Sequence, residues 1–214
     1  MNCVPPLAIL DARIQLAQRD SQPDSNPGRA LDRIREDTAT LTGIVNGLLL
    51  AATGATPGLS TEPVELADVA GSVTQSLQEL AARQDIRLVF SESGQPLTRI
   101  DPSSLRRAVL ALADNALAHT PSEGSITIST TVEGNQAIIS MADTGPGITG
   151  VDQARIFDRF VRTPNTNGTG NQRSYGIGLA LVREIATAAA GTVEVARTGP
   201  EGTTMKLTLP LAKR

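Results

Sequence analysis

Residues 101–121 read DPSSLRRAVLALADNALAHTP. Asp101 and Pro102 open a helix, and Leu105, Val109, Leu112 and Ala116 recur at helical spacing to give it one apolar stripe that faces a core. Asn115 sits at the edge of that stripe, with His119 one turn later on the same edge. An asparagine so placed can bind an oxygen-seeking cation, and Mg²⁺ needs few protein ligands because water and substrate phosphates complete its octahedron. Plainer readings stand beside this one. Asn115 is then a helix residue facing solvent, and His119, followed by Thr120 and Pro121, marks a helix end where an imidazole favours the dipole.

On the C-terminal side, Ile126 and Ile128 alternate with Ser and Thr, the turn EGN follows at 133–135, and QAIISMAD runs over 136–143, which predicts a β-hairpin. A further helix is expected over 177–190, then two strands near Val193 and over 205–209, where Met205, Leu207 and Leu209 alternate with Thr204, Lys206 and Thr208. On the N-terminal side a helix is expected from Glu65 to Gln84 and a strand from Ile86 to Phe90. Together these elements predict an α+β sandwich.

Two glycine-bearing segments lie inside this pattern, DTGPGI at 143–148 and YGIGLALV at 175–182. Glycine permits positive φ and close approach of backbone to a ligand, and the helix that follows Gly176 and Gly178 presents free N–H groups suited to phosphate. Either segment alone is more simply a turn or a cap. No GK followed by Ser or Thr occurs, and neither segment opens a βαβ unit with an acidic residue ~20 positions on, so Walker-loop and Rossmann readings fail. Between them RTPNTNGTGNQRS, at 162–174, is polar and glycine-bearing, the character of a functional lid.

Before residue 53 the pattern changes. Leu7, Leu10, Ile14 and Ala17 step by three and four, and so do Leu31, Ile34, Thr38, Leu41, Val45, Leu48 and Ala52. QRDSQPDSNPGR at 18–29 separates the two seams with turn residues, Ser25 or Asn26 standing as N-cap and Pro27 in a first helical turn. Two helices bury too little apolar surface alone, so the hairpin predicts either a four-helix bundle shared by two chains or a pair that packs within its own chain. TGATPGLSTEP at 53–63 then reads as a linker.

Composition narrows the function. Lys+Arg 19 against Asp+Glu 22 gives a net charge of −3, and aromatic residues make up only 2% of the chain. Binding to a phosphate backbone calls for a basic excess and base stacking calls for aromatic platforms, so nucleic acid is a poor partner. Cys3 is the only cysteine and His119 the only histidine, which rules out an internal disulfide and a Cys/His zinc site. No apolar run reaches the ~20 residues of a membrane span, and the expected location is cytoplasmic.

Taken in order, DPSSLRRAVLALADNALAHTP, MADTGPGI, IFDRFVRT (156–163), YGIGLALVREIA (175–186) and EGTTMKLTLP (201–210) resemble the N, G1, F, G2 and final Gly-Thr boxes of sensor histidine kinases. The resemblance implies a GHKL-type (Bergerat) ATP-binding domain over 65–214, a linker over 56–64, and a dimerisation and histidine-phosphotransfer hairpin over 1–55. It implies ATP and Mg²⁺ as cofactors. By position it makes Asn115 the Mg²⁺-binding asparagine and Asp143 the carboxylate that accepts the adenine amino group. Gly145, Gly147 and Ile148 match the G1 segment under the base, with His119 beside it. Phe157, Phe160 and Arg162 match the F box; Gly176, Gly178 and Leu179 the phosphate side of the lid; and Thr203 the threonine behind adenine. The implied partners are a second copy of the chain and either a response regulator or a phosphotransfer bundle domain acting in trans.

The chain departs from that pattern at several positions. Ala111 stands one turn before Asn115 where the family carries a second asparagine, Ala118 replaces a basic residue, and Ser174 replaces the first G2 glycine. Ala111 also holds the place of the glutamate that activates water in the gyrase and Hsp90 relatives, which argues against ATP hydrolysis as the purpose. The family's acceptor segment HELRTPLA, aligned on Pro6, Leu7 and Ala8, puts Met1 where the histidine belongs, Asn2 for its acidic neighbour and Pro5 for the threonine used in phosphatase action. No catalytic acceptor is identified in the chain. The expected function is a two-component histidine kinase module whose acceptor is supplied in trans or by a longer N-terminus, where a sensor region would add membrane association; the alternative is a non-catalytic dimeric relative that acts as a scaffold or regulator.

Overall fold

The structure, a computed structural model, describes residues 60, 62–150, 152–153, 155–158, 161 and 178–212. In chain order these form β1 (Val64–Glu65), α1 (Leu66–Arg83), β2 (Arg87–Glu92), β3 (Leu97–Thr98), α2 (Pro102–His119), β4 (Ser125–Glu133), β5 (Gln136–Asp143), α3 (Gly178–Ala188), β6 (Thr192–Gly199) and β7 (Gly202–Pro210). All of them fall in one unit of the chain, Thr56–Arg214. The hairpin expected over 1–55 and the lid expected over 162–174 lie outside the described residues.

Five strands make one mixed sheet in the order β2-β4-β5-β7-β6, and the two-residue strands β1 and β3 pair separately. Only β2 and β4 run parallel; β4–β5, β5–β7 and β6–β7 are antiparallel. A parallel pair needs a crossover, and α2 supplies it. On one face of the sheet Ile126, Ile128, Ile139, Met141, Met205 and Leu207 form a single core with the apolar stripes of all three helices, including Leu66, Val73, Leu105, Leu112 and Ile185. The arrangement is the two-layer α+β sandwich that the alternating strands and striped helices predicted.

The helix ends follow from local chemistry. At the start of α2 the Asp101 carboxylate accepts the Ser104 N–H at 2.8 Å and the Ser103 hydroxyl at 2.5 Å, with Pro102 in the first turn. Those bonds, the Ser103 hydroxyl foremost, hold the Asp101 pKa below its ordinary value against a smaller upward push from burial. At the end of α3 Gly191 N–H reaches back to Ala186 O and Ala190 N–H to Thr187 O, with Ala190 at φ +56. This is a Schellman closure with alanine in the left-handed position that glycine usually fills.

The opposite sheet face is rich in Ser and Thr: Thr127, Ser129, Thr131, Ser140 and Thr204. Ile138 is a large apolar residue on this face and is nonetheless 0% exposed. The register explains part of this, because Ile138 pairs with Thr131 on one side and Thr208 on the other. Lys206 on β7 and Glu133 on β4 make an ion pair of 2.9 Å across β5, and Ile138 lies midway between their two rows.

Candidate functional site

Asp143 ends β5, and its neighbours come from three directions: the loop that follows it, β7 and the end of α2. Gly145, two residues on, donates its N–H to Asp143 Oδ1 at 2.9 Å, and Thr203, at the start of β7, donates its N–H to the same oxygen at 3.2 Å. Among the described residues Oδ2 takes no hydrogen bond, so a half-buried acceptor is left available to a donor. Burial pushes the Asp143 pKa up, while the two backbone donors and the charge of His119 pull it down by less.

The loop after Asp143 is wedged between α2 and the β6–β7 turn. A Cβ on Gly145 would stand 2.6 Å from the His119 carbonyl oxygen, and one on Gly147, which has φ +77, would overlap the Gly199 carbonyl oxygen. Neither position admits a side chain. Thr144 fixes the start of the loop to β4 by accepting the Ser125 N–H on its hydroxyl at 2.9 Å and donating its own N–H to Ser125 O at 3.1 Å. At the far end of the loop the Ile148 N–H donates to Thr198 Oγ1 at 2.7 Å, and that hydroxyl lies 3.2 Å from Thr203 Oγ1.

Asn115 is half-buried on the α2 face next to Leu112 and Ala116, while the His119 side chain at the helix end is exposed. Gly178 begins α3 against α2, with 3.8 Å between a Cβ built on it and the Ala111 methyl, and Leu179 packs partly buried on the core. Phe157 is buried in that core, and the adjoining Asp158 pairs with Arg183 of α3 at 2.8 Å. Arg162, Phe160, Gly176 and Ser174 lie outside the described residues.

The structure therefore brings Asp143, Gly145, Gly147, Ile148 and Thr203 into one contiguous wall, and sets Asn115 and His119 on the helix beside it. A purine amino group fits the carboxylate oxygen that takes no hydrogen bond among the described residues, and the start of α3, packed on α2 at Ala111 one turn before Asn115, is a helix N-terminus of the kind that suits phosphates and a cation coordinated mainly by their oxygens. Among the described residues no cluster of three or more His, Cys, Asp or Glu forms a metal site of its own. Sequence reasoning missed Thr198 and Thr144. Both act through bonds to residues distant in the chain, and a threonine near a turn carries no local sign of such a role.

Comparison with known proteins bears on the fold. The family model of histidine kinase-, DNA gyrase B- and HSP90-like ATPases matches residues 100–213. The chain is 32% identical over 185 residues to the adaptive-response sensory kinase SasA of Synechococcus sp. (strain JA-2-3B'a(2-13)), covering 84% of this chain and 48% of that protein. The solved mycobacterial sensor histidine kinase MprB is 27% identical with a TM-score of 0.60, over 72% of this chain and all of that one. Full-length ShkA, solved in complex with AMPPNP, shares the fold at a TM-score of 0.70 and 22% identity, over 99% of this chain and 47% of that one. The chain spans about half the length of the curated relatives it matches. On these grounds the chain belongs to the histidine kinase-, DNA gyrase B- and HSP90-like ATPase family.

Proposed function

We propose that the chain binds ATP with Mg²⁺ and passes the γ-phosphoryl group to a histidine on a bundle domain, supplied in trans or by a longer form of the same protein, with a response regulator as the next acceptor. The observation that carries this is the Asp143 carboxylate, anchored through one oxygen by Gly145 and Thr203 and, among the described residues, leaving the other without a hydrogen bond. In this reading Oδ2 accepts the adenine amino group, the wall of residues 145–148 lies under the base, and Thr203 backs it. Asn115 is the protein ligand to Mg²⁺, which neutralises phosphate charge when bound. Gly176, Gly178 and Leu179 bound the phosphate side, Arg162 and Phe157 the F segment, and His119 the rim. Phosphoryl transfer depends chiefly on positioning and electrostatic stabilisation, so these residues need only hold the nucleotide; the attacking imidazole comes from elsewhere.

Titration calorimetry on the full chain tests the assignment. Asp143→Asn puts a donor-bearing amide where an acceptor is required and loses a hydrogen bond to a charged group, a loss of about 1.5–3 kcal/mol, or roughly 10- to 150-fold in affinity for Mg-ATP. Equal affinity in the variant rules the assignment out. A second reading, a non-catalytic relative, draws on Ala111, whose methyl group faces Gly178 where an amide would serve phosphate. Transfer of label from ATP to a supplied bundle domain separates the two: Mg-ATP binding with no transfer favours the scaffold.

A further inference from the structure

The β6–β7 hairpin contains an irregularity aimed at the site. Val195 pairs with Met205, but the next pairs are Arg197 with Thr204 and Thr198 with Thr203, so one extra residue is inserted in β6. In an uninterrupted ladder Arg197 would stand opposite Thr203, on the face shared with Met205. The bulge shifts the register by one, and Thr198 takes that place. Its hydroxyl there accepts the Ile148 N–H at 2.7 Å and meets the Thr203 hydroxyl at 3.2 Å, while Thr203 donates its own N–H to Asp143. One hydroxyl thus joins the far end of the 145–148 loop to the threonine and carboxylate at the other side of the wall. Gly147, whose backbone lies tight against Gly199, leaves the loop no room to move toward the turn; the Thr198 bond keeps it from moving away.

We infer that Thr198 is a positioning residue for nucleotide binding: delivered by the β6 bulge, it holds the Ile148 amide and so fixes the spacing between the loop and the Thr203–Asp143 pair. The inference rests on the nucleotide reading above. It predicts a specific dependence on the hydroxyl and not on side-chain volume, since valine has threonine's shape without its oxygen. In Thr198→Val the Ile148 N–H loses its acceptor and the wall loosens.

The test uses the full chain and Mg-ATP as the probe, with affinities from calorimetry and melting of the nucleotide-free protein followed alongside. Thr198→Val is expected to weaken binding about tenfold, with a melting midpoint close to wild type and faster hydrogen exchange at the Ile148 amide. Thr198→Ser, which keeps the oxygen, is expected to restore affinity to within about twofold. Thr198→Ala repeats the hydroxyl deletion in a smaller side chain should the valine variant fail to fold. Wild-type binding with unchanged affinity in both hydroxyl-free variants overturns the inference alone, as does a serine variant as weak as valine. Absence of binding by the wild type overturns the nucleotide reading and this inference with it.

Discussion

Asp143 is held between burial, which favours its neutral form, and two amide donors that favour the charged one, and burial wins. Its raised pKa has two consequences of opposite sign. The folded protein holds this proton more tightly than the unfolded chain does, so the group's contribution makes the nucleotide-free protein more stable as pH falls through the folded pKa. On the reading proposed above, nucleotide binding needs the ionised acceptor and weakens over the same range. Affinity for Mg-ATP is expected to fall on acidification beginning at a higher pH than an ordinary aspartate would give, and Asp143→Asn is expected to abolish that part of the profile; a wild-type affinity flat down to the ordinary carboxylate range contradicts it. Asp143 and the glycines after it were legible because they sit together in DTGPGI. Thr198 was not, because its partners are Ile148, 50 positions back in the chain, and Thr203 across a bulge that no residue type announces.

At the level of elements, legibility followed the length of the pattern. The helix expected from Glu65 to Gln84 is Leu66–Arg83, and the hairpin around EGN is Ser125–Glu133 with Gln136–Asp143. The strand expected over 86–90 starts one residue later and runs on to Glu92, extended by parallel pairing to β4 that single-strand alternation does not encode. The two-residue strands β1 and β3 escaped notice, being too short to alternate. The end of α3 was blurred for another reason: Ala190 continues a helical composition but adopts φ +56. A left-handed alanine costs about 1 kcal/mol relative to glycine. Ala190→Gly is therefore expected to raise stability by about 1 kcal/mol and the melting midpoint by about 2–4 °C, while Ala188→Gly, inside the helix, lowers it. A midpoint that drops in Ala190→Gly refutes this account of the cap.

At the level of the whole molecule, the ATP-binding fold was readable from five segments in fixed order, whereas the boundaries at 1–55, 56–64 and 65–214 rest on composition and remain our proposal. The same holds for the dimer. We propose that residues 7–53 pair two chains through the seams that run from Leu7 to Ala17 and from Leu31 to Ala52. Leu41→Asp together with Leu48→Asp places unpaired carboxylates in that apolar seam, a desolvation it does not tolerate, and is expected to yield monomers by light scattering. A wild-type monomer at micromolar concentration sinks the proposal.

The sheet order has a kinetic consequence. The β4–β5 and β6–β7 hairpins are each local, and they join only along the β5–β7 ladder. Asp143 meets Thr203 at that junction, across 60 residues of chain. Pairings so distant form late, once the entropy of closing the intervening loop has been overcome. The wall around Asp143 is thus among the last parts of the domain to be completed, and a ligand that recognises only the finished ladder draws the refolding chain toward it by mass action. On the reading proposed above, ATP is a folding effector of this domain before it is its substrate.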